Sequence, residues 1–242
     1  MTQFISLSFS PWSEKARWAL DHHRVARKNV EHVPMVGEPY LRWKLGKLTG
    51  RVTVPVLIDR DGVFADSFDI ARHVDASGPG SKLFPGGHEN DIARWNEKSE
   101  SILAAGRVLS LRRTLVNPGA IQESMPFPRA LRPYLVPVGR SAVTFMNRKY
   151  RTDHVDDAYA GATIRSHLGE LRLALGGRQH LIGDALSYAD IVMAVSLQLV
   201  APVDDRYIRL GPETRTCCTC DELVREFADL VSWRDELYRR FR

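Results

Sequence analysis

Phe4-Ile5-Ser6-Leu7-Ser8-Phe9-Ser10-Pro11-Trp12-Ser13-Glu14-Lys15-Ala16-Arg17-Trp18-Ala19-Leu20 is the stretch that decides the fold of this 242-residue chain. The apolar run over 4–9 alternates as a strand does, and Ser10-Pro11 ends it. Ala16, Ala19, Leu20 and His23 then share one helical face, which predicts a helix over 13–24. A strand running directly into a helix leaves the helix start at the end of the sheet. Such a start carries unpaired N–H groups and roughly +0.5 of a charge. A phosphate, a carboxylate or a thiolate is stabilised there. Two hydroxyls, Ser10 and Ser13, occupy the start, but serine is also an ordinary N-cap. The stretch alone leaves both readings open.

The rest of the first half reads as mixed α/β. Val30 to Val36 alternates as a second strand, with Pro34 assigning part of it to a sheet edge. Tyr40 to Leu48 is a short helical or irregular segment. Val54 to Ile58 is a third strand, Asp59-Arg60-Asp61-Gly62 a hairpin turn, and Val63 to Ala65 the returning strand. Asp66-Ser67 opens a helix to about Val74 with Phe68, Ile70, Ala71 and Val74 as its apolar positions. Pro55, at the start of a strong strand, is a candidate cis proline. The run Asp75 to Gly87 is rich in Gly, Pro and Ser and has no periodicity, as a linker does.

Beyond it the pattern is helical. Ile92, Trp95, Ser99, Ile102, Leu103, Gly106 and Leu109 follow one helical face, stopped by Asn117-Pro118-Gly119. Ala120 to Pro137 holds four prolines and reads as an irregular connection with helical pieces. Val143–Tyr150 and Ala158–Leu175 are predicted helices, the second closed by Gly176-Gly177. Ser187 with Asp190 three residues on has the form of a capping box, and Leu186 with Ile191 of a hydrophobic staple. The helix they start, over 191–199, is apolar nearly all round and belongs at the centre of its domain. A last helix is expected from Asp221 to Tyr238. Three segments follow: residues 1–76, a linker over 77–88, and a helical domain over 89–242.

Composition narrows the function classes. Apolar residues make up 44% and charged residues 26%, enough to bury a core. The net charge is +5, but Lys and Arg are dispersed, without the stripe a nucleic-acid partner requires. No membrane span and no signal-peptide pattern are visible, so the cytoplasm is the expected compartment. Cys217, Cys218 and Cys220 cluster without a partner set. That argues against a disulfide framework or a metal site and predicts a loop of free thiols.

Three motifs, Ser10-Pro11-Trp12-Ser13-Glu14-Lys15-Ala16-Arg17, Thr53-Val54-Pro55-Val56-Leu57 with Asp66-Ser67, and Gly183-Asp184-Ala185-Leu186-Ser187-Tyr188-Ala189-Asp190, occur in an order that resembles the glutathione transferase superfamily. The likeness covers essentially the whole chain and is to serine-type members of the tau, zeta and bacterial kind. It implies an α/β plus all-α fold, a thioredoxin-like N-terminal domain followed by an all-helical C-terminal domain. It implies glutathione as co-substrate and an electrophilic or hydrophobic small molecule as its partner, in a detoxification reaction run by a cytoplasmic homodimer. Ser10 would stabilise the glutathione thiolate, with Ser13 as runner-up. Val54, before Pro55, would bind the cysteinyl backbone, and Asp66 and Ser67 the γ-glutamyl end. The chain departs from the family in having Asp rather than the commoner Glu at 66. It also lacks an Asn-Pro-x-x-Lys run before Pro55, leaving Lys47 or Arg51, with Arg51 favoured by its nearness, to meet the glycyl carboxylate. Trp12, Arg107, Leu111, Phe127 and Tyr134 are candidates for a second-substrate pocket between the domains. Arg107, Arg112 and Arg113 would favour an anionic co-substrate, unless Arg112 and Arg113 are solvated surface. Ser187 and Asp190 read as a structural cap. The alternative is a non-catalytic ligand-binding or protein-interaction module with this fold. A thiol–disulfide oxidoreductase working through the cysteines is a third reading; neither Ser10 nor Ser13 is a cysteine, which argues against mixed-disulfide chemistry.

Overall fold

A computed structural model describes residues 1–242. Four strands, β1 (Gln3–Ser6), β2 (Lys28–Glu31), β3 (Val56–Ile58) and β4 (Val63–Phe64), form one sheet in the order β2-β1-β3-β4. β1 runs parallel to β2 and antiparallel to β3, and β3 pairs antiparallel with β4. Three helices accompany it: α1 (Pro11–His22), α2 (Glu38–Leu45) and α3 (Ser67–Ser77). This is the thioredoxin-like arrangement, and the remainder of the chain is helical.

Period-two alternation explains how the sheet is covered. Phe4 and Leu57 face the large core of the molecule, together with Ala16, Trp18 and Ile70. Ile5 and Val56, one residue away, face a second small cluster with Leu41 of α2. The expected second strand is displaced. Pairing with β1 starts at Lys28, and after Glu31 the chain turns, with Met35 in the left-handed region at φ 69°. β2 is nevertheless an edge strand. The hairpin turn is held by Asp59, whose carboxylate accepts the N–H groups of Asp61 at 2.8 Å and Gly62 at 3.2 Å.

The segment between α3 and α4 (Glu89–Val116) holds no helix or strand, but it is tied down. The buried Asp75 carboxylate accepts the N–H of Leu83 at 2.6 Å and of Phe84 at 3.3 Å. It also meets His23 Nε2 at 2.9 Å, while His23 Nδ1 faces the Pro79 carbonyl at 2.8 Å. One buried pair thus joins α1, α3 and this segment.

The helical part continues with α5 (Pro118–Glu123), α6 (Val136–Tyr150), α7 (Asp157–Leu175), α8 (Tyr188–Ser196), α9 (Pro212–Cys218), α10 (Asp221–Glu226) and α11 (Ala228–Phe241). α6 begins seven residues before the expected Val143, because Pro137 falls in its first turn, where proline is tolerated. The single last helix is two, broken at Phe227. The cysteine segment, expected as a loop, is mostly helix: Cys217 and Cys218 end α9 and Cys220 follows it.

Every residue of α8 is buried. It is packed by α4, where Gly106 allows close approach of the turn that follows α8: a Cβ there would meet Leu199 Cβ at 2.6 Å. Its start is capped by side chain and backbone together. The buried Asp190 carboxylate accepts the N–H of Leu181 at 2.7 Å and both the N–H and hydroxyl of Ser187 at 2.8 Å. The core that includes α8 is continuous with that of the sheet. Phe4, Trp18 and Ile70 share one cluster of 38 buried residues with Ile102, Ile191 and Tyr238. α11 reaches back to α1, where the Trp18 and Tyr238 rings lie 4.5 Å apart and Arg242 donates to the buried Glu14 at 2.8 Å.

Candidate active site

Two helix starts open beside the end of the sheet. At α1, Ser10 is the N-cap in extended backbone, and Pro11 takes the first helical position. The Ser10 hydroxyl receives only a long contact, 3.5 Å from Ser13 N–H. Ser13, three residues on, is fully buried, and its hydroxyl accepts the Leu7 N–H at 3.1 Å. The two serines are therefore unlike. Ser13 fastens the strand-to-helix turn, whereas Ser10 is half-buried and weakly engaged.

At α3, Asp66 caps the helix by accepting the Phe68 N–H at 2.8 Å. Desolvation raises its pKa above the usual carboxylate value, with Glu100 and Asp69 adding to the rise and the Phe68 N–H opposing it. Ser67 is buried, and its hydroxyl has no hydrogen-bond partner. A buried hydroxyl without a partner is uncommon and costs free energy. The Ser67 carbonyl, in contrast, is taken by the buried Tyr188 hydroxyl at 3.0 Å. Tyr188 is the first residue of α8, so the central helix fixes the start of α3.

Between these starts the Val54–Pro55 peptide bond is cis. Val54 is half-buried, and neither its N–H nor its C=O is hydrogen-bonded within the chain. Val54, just ahead of β3, thus offers one donor and one acceptor to an extended peptide. Lys47 and Arg51 are both exposed; Arg51 lies over the Tyr150 ring at 5.6 Å, and Lys47 is not part of that cluster.

Where α1 meets the helical part, charge and aromatic groups interleave. The fully buried Lys15 ammonium donates to Glu100 at 2.7 Å, and the Trp12 indole N–H donates to the other Glu100 oxygen at 2.6 Å. Burial lowers the Lys15 pKa from its ordinary value, opposed by Glu100 and then Asp66. Arg107 of α4 sits between two rings, 3.9 Å from the Trp12 centroid and 3.7 Å from that of Tyr150. Desolvation pulls its guanidinium down to about 10, against the pull of Tyr150 and Glu100.

Known proteins match this architecture. Residues 9–77 match the family model of the glutathione S-transferase N-terminal domain. A glutathione S-transferase from Methylobacillus flagellatus with glutathione bound superposes with a TM-score of 0.62 at 16% identity, covering 99% of this chain and 95% of its own. A second, from Methylobacterium radiotolerans in complex with glutathione sulfonate, gives 0.61 at 20% identity over 99% and 91%. A glutathione transferase from Phanerochaete chrysosporium gives 0.62 at 14% identity over 100% and 97%. The chain has the glutathione S-transferase fold. No curated protein matches it by sequence.

Within this glutathione S-transferase fold the remaining candidates fall in different places. Trp12 and Arg107 come together, as described. Leu111 packs against the small cluster of Ile121, Met125 and Val143. Phe127 is 40% exposed and Tyr134 82% exposed, and neither joins the Trp12–Arg107–Tyr150 stack. Arg112 and Arg113 are not free surface cations. Arg112 pairs with Asp157 and donates to the Thr152 carbonyl at 3.2 Å, and Arg113 donates to the Thr219 carbonyl at 2.5 Å. Burial raises the Cys217 thiol pKa and pushes that of Cys218 up to about 11. Neither is poised as a thiolate.

Lys15, Glu100 and Tyr150 were not legible as site residues. Lys15 and Glu100 meet across 85 positions of sequence. In isolation Glu14-Lys15 resembles a solvated helix face, and Tyr150 the end of a surface helix.

Proposed function

We propose that the protein is a glutathione-dependent transferase. Glutathione would lie extended along the sheet end, exchanging backbone hydrogen bonds with Val54 as an added strand does. Its γ-glutamyl carboxylate would take the Ser67 hydroxyl and the N–H groups at the α3 start, where the helix dipole favours an anion. Asp66 would meet the α-ammonium group, and Arg51 the glycyl carboxylate. The Ser10 hydroxyl would then face the sulfur at the start of α1. A donated hydrogen bond and a helix N-terminus both favour thiolate over thiol, and the thiolate is the nucleophile.

The observation that carries this reading is the buried Ser67 hydroxyl without a partner, set beside the unbonded Val54 backbone. Two unfilled sites on neighbouring elements fit one extended ligand with an acidic end. The second substrate would bind in the cleft at Trp12, Arg107 and Tyr150 and be attacked by the thiolate, with positioning supplying much of the rate. A homodimer, a cytoplasmic location and a detoxifying role belong to the same proposal.

The test is ligand-linked stability. Glutathione at 100 times its Kd would stabilise the fold by about 2.7 kcal/mol, visible as a raised Tm. Ser67→Ala would abolish most of that shift without lowering the Tm of the free protein. An unchanged Tm at millimolar glutathione would rule the proposal out.

A further inference from the structure

Arg107 is the group in the cleft that glutathione leaves without a task. Apart from Arg51, the nearby cations are occupied. Lys15 pairs with Glu100, Lys149 with Glu38, and Arg112 with Asp157, while Arg113 is held by a backbone carbonyl. Arg107, although largely withdrawn from water, makes no side-chain hydrogen bond and no ion pair. Two rings, Trp12 and Tyr150, pack on the guanidinium, their centroids 3.9 and 3.7 Å from its Cζ. Cation–π contact offsets part of the desolvation but uses none of the five N–H donors.

Contact with the rings leaves the guanidinium N–H groups as the receptor. A planar guanidinium edge matches a carboxylate in a bidentate fork. The nearest acid does not fill it: both Glu100 oxygens are taken, one by Lys15 and one by Trp12. Arg51, a second cation without an ion pair, lies over the same Tyr150 ring.

We infer that the cleft selects electrophiles that carry a carboxylate, received by the edge of Arg107 between Trp12 and Tyr150. This rests on the reading of the cleft as the second-substrate site. The glycyl end of glutathione has the same chemistry, and Arg51, exposed near Val54 and Pro55, is assigned to it. Arg107 is left for the co-substrate.

A matched pair of electrophiles tests this, 4-chloro-3,5-dinitrobenzoate against 2-chloro-1,3-dinitrobenzene, which lacks only the carboxylate. In both, the glutathione sulfur bonds to the ring carbon that carries chlorine. The C–Cl bond breaks, chloride leaves with the electron pair, and the thiol proton passes to buffer. Arg107→Gln should raise KM for the benzoate by about tenfold more than for the neutral ring, the scale of one charge-assisted hydrogen bond. Arg107→Lys should recover only part of the difference, since an ammonium does not fork.

Calorimetry without turnover separates the inference from the transferase reading. The unreactive 3,5-dinitrobenzoate should bind the wild-type chain, and bind Arg107→Gln about tenfold more weakly, while 1,3-dinitrobenzene shows no such difference. Equal binding of the benzoate to both proteins overturns the inference. So does a variant that loses glutathione affinity but keeps the benzoate, which would assign Arg107 to the glycyl carboxylate. Benzoate binding that depends on Arg107 in a chain with no affinity for glutathione would uphold the anion receptor and reject the transferase reading.

Discussion

Two serine-headed helix starts lie at opposite extremes in this molecule. At α8 the cap is met from within: Asp190 accepts from Leu181 and twice from Ser187, the Tyr188 N–H goes to the Leu83 carbonyl, and all of it is buried. At α1 the Ser10 hydroxyl has one weak 3.5 Å contact, and at the adjoining α3 start the Ser67 hydroxyl has none. Serine at a helix start is a buried folding device in one place and is weakly engaged or unpartnered in the others. What differs is whether the surrounding chain supplies the partner. A helix start filled from within contributes stability, and one left unfilled is available for the ligand proposed above.

The sharpest way to break that contrast is Asp190→Ala. It leaves two buried N–H groups unsatisfied at about 1–3 kcal/mol each, so a loss of about 3 kcal/mol or more is expected in denaturant unfolding. A loss under 1 kcal/mol would mean the α8 start is not the anchor described.

Next in size is Glu100→Gln, which strands the Lys15 ammonium. Removing one partner of a buried pair costs about 3–5 kcal/mol, and the lower end is expected because the Glu100 side chain is 39% exposed. The pH dependence has a definite sign. The folded-state pKa of Lys15 lies below its ordinary 10.5, so over that interval the unfolded chain binds more protons and stability rises with pH. The variant lowers the folded value further. Its deficit should therefore shrink as pH rises toward 10.5 in thermal melts; a deficit that grows would refute the buried charge.

The two hydroxyls at α1 supply the third comparison. Ser10→Ala should lower kcat/KM toward a chloronitrobenzene by about tenfold or more, the equivalent of one unit in thiol pKa, with little change in Tm. Ser13→Ala should do the reverse, costing about 1 kcal/mol through the orphaned Leu7 N–H, with activity following the folded fraction. If Ser13→Ala is instead the change that damages turnover, the two roles are exchanged. The smallest effect is expected from Cys217→Ala, Cys218→Ala and Cys220→Ala combined. Activity should stay within about twofold, since burial holds the Cys217 and Cys218 thiols protonated.

The sequence made the fold legible where signals were local. The alternation over 4–9, the helical face from Ala16 to His23, and the Ser187–Asp190 spacing each depend on neighbours within a few residues, and their elements are present. Legibility failed where the deciding contact was distant. β2 is set by the register against β1, so its bounds were misplaced, and Phe227 breaks a helix whose apolar pattern runs on. The cysteine segment is helical, with its last turn carrying Cys217 and Cys218.

The candidate site divides the same way. Ser10, Val54, Pro55, Asp66 and Ser67 lie in short motifs whose backbone geometry is written locally, by a proline, a cap or a helix start. Sequence determined that these positions offer donors and acceptors at helix starts and a strand end. It did not determine which of them stay unfilled. The buried, empty Ser67 hydroxyl, the Lys15–Glu100 pair and the seating of Arg107 against Trp12 and Tyr150 exist only in the folded chain, where residues of α4, α6 and α8 meet those of α1 and α3. Hydrogen-bond satisfaction and desolvation depend on everything within a few ångströms, and most of that comes from residues scores of positions away.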